Sequence, residues 1–529
     1  MRLRLSWPAG FRGRWLTSVC IGLGLATLAH VSLHAWHFRP LVALENWAFD
    51  SIVRLTANWD LETPPDARGL ALIDIDDATW RSPTWSGGEP QRAPRKELAT
   101  LIDKAFAAGA QQVVLNVLIE ERDGADTSAA QKAERAEDKQ FAKALAELQA
   151  KPYFGGDRHL ILARSLRKRL APDEAPAADA PKPHRGDAID VEMRRSAAVD
   201  EAIERSGGRI DVGLPYFVRD KDGREREWQL FRIACGAPST SAASSAVALP
   251  SVQLLVYAKN LGLGPARRES LRRMPSDATP SSECRGAASA SDNAAASGPR
   301  GGAGAYSGDA GSTAASAAYW RAVRHEFCGS QPSARCPLPE RLEDGEITNR
   351  LVYHHRPGGS DPRIHVLRAL DLLDGSANDE MARTYLQDRV VVIAQSFAES
   401  GDRHDTPVGT MSGGWMLLNA IDSMTRAHFV EPLPLFVTAS FVLLECVVVG
   451  WLFARWHSLA LVVGLSVLAV LVLVPVCYRV FQYGMWLDFA LPVVGIALHK
   501  LIHEIQAAFN SAKHPHGGGN VHAPTDANS

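Results

Sequence analysis

Acidic residues stand at three places where the chain leaves a strongly apolar run, and these are the residues whose types and spacing could do chemistry. Asp76 and Asp77 follow LALIDI, Leu70 to Ile75; Glu120 and Glu121 follow QVVLNVLI, Gln112 to Ile119; Asp402, His404, Asp405 and Thr406 come soon after RVVVIA, Arg389 to Ala394. Gathered beyond one edge of a sheet, they would form an acidic patch for a cation or for a basic or hydroxylated ligand. The competing use is simpler, because Asp and Thr cap helices and close turns in most proteins. Gly413-Gly414 ahead of a helical stretch could likewise seat an anion on a helix N-terminus, or merely begin the helix. His354 and His355 would point to opposite faces of a strand and do not make a metal pair.

Catalytic signatures are missing from the chain: it has no Ser-centred nucleophile elbow, no HExxH, no GxxxxGK and no CxxC. The expectation is a protein that is not an enzyme and that uses no metal and no cofactor. A formal net charge of −2 with no basic cluster also excludes a nucleic-acid footprint. The three histidines of the tail from His514, HPHGGGNVHAPTDANS, read as part of a plain polar extension.

The elements that must position the acidic groups alternate. Leu41 to Trp59 has the spacing of an amphipathic helix, and Leu70 to Ile75 that of a strand. From Pro94 and Arg95 a helix presents Leu98, Leu101, Ile102, Ala105 and Phe106 on one face and ends at Gly109. Gln112 to Ile119 lacks polar alternation, the mark of a strand covered on both faces. Val252 to Leu261 then reads as helix, Arg350 to His354 as strand, Arg363 to Leu373 as helix, Arg389 to Ala394 as strand and Trp415 to Arg426 as helix. Such alternation gives an α/β domain with a mostly parallel sheet and right-handed crossovers. Asp123 to Ala150, charged and Ala-rich, reads as a solvated helix. Ala171 to Lys182 is a flexible loop. Residues 275–318, Pro275 to Ala318, hold almost no large apolar side chains and are expected to be a disordered insertion.

Apolar segments flank this domain. Trp15 to Trp36 carries no Asp, Glu, Lys or Arg and is long enough to span a bilayer of about 20 helical residues. Arg2, Arg4, Arg12 and Arg14 precede it and hold the N-terminus in the cytoplasm. A cleaved signal peptide is the competing reading, against which its length speaks. Pro434 to Ala454, Ser458 to Cys477 and 485–503 supply three further spans, with a turn through Arg479 and Gly484 before the last. The expected order is a cytoplasmic segment 1–14, a span 15–36, an external domain 37–433, spans 434–454, 458–477 and 485–503, and a cytoplasmic tail 504–529. Glu445 falls in the middle of the second span, where a carboxylate is costly unless it is protonated, paired or turned into a bundle. It is therefore a candidate for helix–helix or partner coupling. Cys20, Cys446 and Cys477 lie in spans, leaving Cys235, Cys284, Cys328 and Cys336 outside. Four cysteines allow three connectivities, of which a Cys328–Cys336 bond across a short loop is favoured.

Several stretches, in order, resemble the CHASE2 domain, an extracytoplasmic sensory domain of bacteria. They are Leu44-Glu45 to Asp50 after the first span, Leu72-Ile73-Asp74-Ile75-Asp76-Asp77, Pro94-Arg95, Gly109-Ala110, then Asp123 and Asp126. Asp220-Lys221-Asp222-Gly223-Arg224 follows, and VVVIAQSFAESGDRHDTPVGTMSGGWMLLNAIDSM, Val390 to Met424, carries most of the likeness. The Trp486 to Pro492 pattern of the last span belongs to it too. The chain departs from the family at Asn116, at Ser412-Gly413-Gly414 and in the long insertion. The resemblance implies an α/β sensory domain held by one span before and three after it, in the inner membrane with the domain in the periplasm. CHASE2 domains usually precede a cytoplasmic kinase, cyclase or phosphodiesterase. The short stretch after the last span leaves no room for one, so the expected output is a partner protein in the membrane or envelope, with a homo-oligomer as a further possibility. A structural scaffold of a cell-envelope complex is the alternative function.

Overall fold

The computed structural model describes residues 11–34, 38–58, 69–85, 94–119, 129–170, 188–193, 195–220, 222–235, 246–273, 310–329, 338, 348–357, 364–426, 430–433, 435–455, 459–482, 484–486 and 505. It divides into two units, Val53–Val430 and a second made of Met1–Ile52 with Glu431–Ser529.

The Val53–Val430 unit is built on a six-stranded, wholly parallel sheet. Its strands in chain order are β1 (Leu70–Ile75), β2 (Gln112–Asn116), β3 (His159–Ala163), β4 (Ile210–Gly213), β5 (Ile364–Arg368) and β6 (Val390–Gln395), arranged 5-1-6-2-3-4. β1 and β6 are adjacent interior strands covered on both faces, as their unbroken apolar runs require. Because strand side chains alternate, Ala71, Ile73, Ile75, Val391 and Ile393 join one core with Leu98, Leu101, Phe106, Phe141 and Leu145. The opposite face, with Leu72 and Ala394, receives the helix Gly413–Thr425, whose residues from Gly413 to Met424 are all buried. Gly109 closes the Arg95–Ala107 helix at a φ of +100°, a conformation that favours glycine.

Four elements differ from their sequence reading. Residues 364–368 form the edge strand β5, not the start of a helix, and the helix is confined to Ala369–Leu373. Ile364 and Leu367 are buried on opposite faces of this partly covered edge strand, while Asp371 supplies first-turn acidity only further on. Strand pairing around Arg350 stops at that residue, and Leu351 bonds instead to the carbonyl of Arg226 at 2.7 Å. The Ala129–Gln149 helix is not simply solvated: Phe141, Leu145 and Leu148 are buried, and Asp138 pairs with Arg95 at 2.9 Å. Of the expected insertion, the last residues belong to the helix Ala310–Cys328, which buries Tyr319 and Trp320, whereas 274–309 lie outside the described residues. Cys328 is disulfide-bonded to a cysteine outside the described side chains.

The other unit contains the helices Phe11–His34, Leu435–Arg455 and Leu459–Gln482, at three of the four expected spans. Phe11–His34 packs on Leu435–Arg455 through small residues: a Cβ on Gly22 would stand 3.0 Å from Cys446 Sγ, and one on Gly450 would meet Val19. Arg479 lies in the last turn of its helix, not in a turn after it, because the helix continues past Pro475 to Gln482. Phe49 meets Trp486 edge-on at 5.4 Å. Among the described residues no helix is long and apolar enough to cross a membrane. The four expected spans therefore rest on the sequence pattern, and residues 487–503 of the last lie outside the described residues.

Candidate functional site

After β6 the chain makes a two-stranded hairpin, β7 (Arg403–Thr406) and β8 (Gly409–Ser412), and runs straight into the Gly413–Thr425 helix. Pro407 and Val408 form the hairpin tip, which needs Gly409 at a φ of +118°. The base of the hairpin is tied by Asp402. Its carbonyl accepts the Gly413 N–H at 3.1 Å, and its carboxylate fills the space where a Cβ on Gly413 would lie, 2.4 Å from Oδ1. The helix N-terminus that could seat an anion thus holds the chain's own carboxylate, which suits the helix dipole.

His404 stands between two carboxylates, with Nε2 2.9 Å from Asp402 Oδ1 and Nδ1 3.5 Å from Glu225 Oε1. Burial opposes its charged form, but the hydrogen bonds and charges of Asp402 and Glu225 outweigh burial and push its pKa up to about 9. Arg219 Nε donates to the same buried Glu225 at 3.1 Å. A pKa raised above the ordinary value gives stability that is complete below about pH 6.5 and lost as pH rises through about 9. Allowing for partial exposure of the ring, about 2–3 kcal/mol is involved. Urea unfolding of the wild type and of His404→Gln should differ by that much at pH 6 and converge above pH 9.5. A gap that persists unchanged at high pH would remove the charge from the explanation.

Beside the hairpin tip opens a cleft of about 660 Å³, lined by Arg54, Asp222, Arg224, Arg356 and the turn from Asp405 to Thr410. Each wall has a local cause. Arg54, on the helix Arg39–Asn58, donates its Nε–H to the Pro407 carbonyl at 2.7 Å and pins the tip. Arg224 forms a parallel β-bridge with Asp405, whose Oδ1 accepts from the Thr410 hydroxyl at 2.8 Å. Asp222 is held from behind by the buried Arg226 through bonds of 2.9 and 2.6 Å, and Arg226 also reaches Asp220 at 2.7 Å. The Arg226 bonds draw Asp222 below the usual carboxylate range. Thr406 donates its hydroxyl to the Gly409 carbonyl and closes the turn.

The expected acidic residues are thereby distributed among different tasks. Asp76 caps the helix Asp77–Trp80, accepting from the Thr79 N–H at 2.8 Å and its hydroxyl at 2.7 Å. Asp77 accepts from the Ala398 N–H at 3.2 Å, joining the loop after β6 to the end of β1. Glu120 and Glu121 lie outside the described residues. Of the rest, only Asp405 and Thr406 line the cleft, and arginines outnumber carboxylates along its wall. An acidic patch for a cation is therefore not what these residues form there. Sequence reasoning missed Arg54, Arg356 and the neighbours Arg224 and Glu225 because they come from separate parts of the chain and no fixed spacing joins them. The one signal present was the Asp220-x-Asp222-Gly223 turn, which places Arg224 next to Asp405. It also missed Asp74 on β1, whose pKa is raised to about 6 by burial, against the hydrogen bond from Ser396. Among the described residues no group of His, Cys, Asp or Glu could hold a metal ion.

The family model for the CHASE2 domain matches residues 25–456 of the chain. No curated protein and no solved structure matches it.

Proposed function

Because this chain belongs to the CHASE2 family, a family of extracytoplasmic sensory domains, we propose that it is a membrane-anchored sensor whose Val53–Val430 unit lies in the periplasm of a bacterial cell and receives a small ligand. In this reading one span precedes the sensory unit and three follow it, the protein has no catalysis of its own, and it passes its signal to a partner in the membrane or envelope. The observation that carries the reading is the arginine-lined cleft beside the β7–β8 hairpin: a concave site of ligand size, walled by fixed polar groups, in a family of sensors. Glu445, on the helix Leu435–Arg455, is the residue assigned to coupling within the membrane. Substituting Glu445→Gln should weaken association with the partner, and unchanged association would sink that role.

Two measurements separate the sensor from an envelope scaffold. Alkaline phosphatase fused after Thr425 should be active in cells and a fluorescent protein at the same point dark, as a periplasmic location requires. The reverse pattern would place the unit in the cytoplasm and end the reading. A sensor should also hold its partner in a ligand-dependent way, whereas a scaffold would co-purify stoichiometrically with envelope proteins and ignore small molecules.

A further inference from the structure

We propose that the cleft beside the hairpin tip binds a small, hydroxylated organic anion, a sugar acid or sugar phosphate in chemical class, with its charged group between Arg54 and Arg356. The proposal names the ligand class for the sensory reading above and rests on it for biological meaning, though not for its chemistry.

Charge is the first argument. Among the described residues, three guanidinium groups and two carboxylates line the cleft. One of those carboxylates, Asp222, is already engaged by Arg226 through two short bonds. Arg54 and Arg356 therefore face Asp405 as the remaining carboxylate of the described wall, a positive surplus at the place where the ligand must sit. Donor accounting is the second. Arg356 Nε is buried with no hydrogen-bond partner among the described residues, and native proteins rarely leave such a donor unmet. Among the described residues, the side-chain donors of Arg54 have one partner, the Pro407 carbonyl, out of the five that a guanidinium carries. Planar donor forks of this kind match carboxylate and phosphate oxygens in pairs.

Size and lining decide the rest. A volume of about 660 Å³ is several times larger than a bare phosphate or sulfate needs and lies within the range of organic ligands. Among the described residues no aromatic side chain lines it, so a nucleobase would find nothing there to stack on. Pro407 and Val408 are its main apolar contribution, too little for an acyl chain. Asp405 accepts from Thr410 through Oδ1, which leaves Oδ2 as an acceptor for a ligand hydroxyl. The arrangement suits a molecule anionic at one end and hydroxylated elsewhere.

The test uses the purified full-length chain in detergent, followed by thermal melting and titration calorimetry with D-glucuronate, D-glucose 6-phosphate, D-glucose and inorganic phosphate. Glucuronate or glucose 6-phosphate should raise the melting temperature at millimolar concentration, and glucose should not. Arg356→Gln should melt like the wild type without added probe and bind the anionic sugar about tenfold more weakly or worse. If that variant does not fold, Arg54→Gln supplies the same comparison. Equal stabilisation by glucose, a response to inorganic phosphate as strong as to the ester, or no response to either anionic sugar would each overturn the proposal. The sensory reading fails separately: selective anion binding by a protein held in a ligand-insensitive envelope complex would leave the site standing and remove the sensor.

Discussion

Replacing Asp211 with alanine is expected to cost about 3–5 kcal/mol of folding stability, because it strands a buried cation. Asp211 Oδ2 accepts from Arg268 Nε at 2.9 Å and faces His159 Nε2 at 2.7 Å, and all three side chains are buried at the N-terminal edge of the sheet. Burial holds His159 below its usual pKa, so the neutral ring donates. Burial opposes the charge on Asp211, yet His159 and Arg268 outweigh it and hold the carboxyl low. Arg268 also donates to the carbonyls of Leu263 at 2.6 Å and Gly208 at 2.5 Å, so it cannot swing into water without breaking the loop contacts. Urea unfolding of Asp211→Ala measures the loss. The double variant Asp211→Leu with Arg268→Met, which removes both charges, should recover most of it. A single-variant loss under about 1 kcal/mol would mean that Arg268 reaches solvent or another anion, contrary to this account. Since the carboxyl pKa is lowered on folding, this contribution is present above its ordinary value of 3.8 and disappears as the pH falls below it.

The second large effect is steric. A Cβ on Gly414 would stand 2.4 Å from Ala394 Cβ, where the start of helix Gly413–Thr425 lies on the C-terminal end of β6. Two methyl carbons need roughly 3.5–4 Å, so either the helix or the strand must move by about 1 Å. Alanine ordinarily favours a helix over glycine by about 1 kcal/mol. Here overpacking should win, and Gly414→Ala should cost about 2 kcal/mol net. Ala394→Gly placed in the same chain should return part of the loss, which tests the contact itself. A Gly414→Ala protein as stable as the wild type would show that the interface has slack.

These two positions mark what the sequence could and could not reveal. β1, β6 and the Arg95–Ala107 helix were legible because apolar period and a closing glycine are local signals. β5 was not, since an edge strand of five residues running into a helix offers a mixed period over its whole length. Gly414 was visible as a glycine, but its reason is a neighbour twenty residues earlier in the chain, on the strand its helix covers. The candidate site divides the same way. Asp405 and Thr406 were found because they follow a buried strand, where a parallel sheet places its ligands. Arg54 and Arg356 come from distant parts of the chain and meet only in the folded unit, so no spacing rule could join them. Asp76, chosen on the same grounds as Asp405, proved to be a helix cap, because an aspartate three residues before an available N–H serves itself first.

The seating of Asp402 has a consequence for how the hairpin can vary in sequence. The base of the hairpin is fixed by Asp402, His404 and the start of the buried helix, while the tip from Pro407 to Gly409 borders the cleft. Foundation and cleft wall are thus assigned to separate residues of one short hairpin. If the cleft binds the proposed anion, changes at the tip should retune its preference without disturbing the anchor below, whereas changes at the base would disturb both together. A library randomised at Val408 and Thr410 should accordingly hold many folded members with altered preferences, and one randomised at Asp402 and Gly413 should hold few.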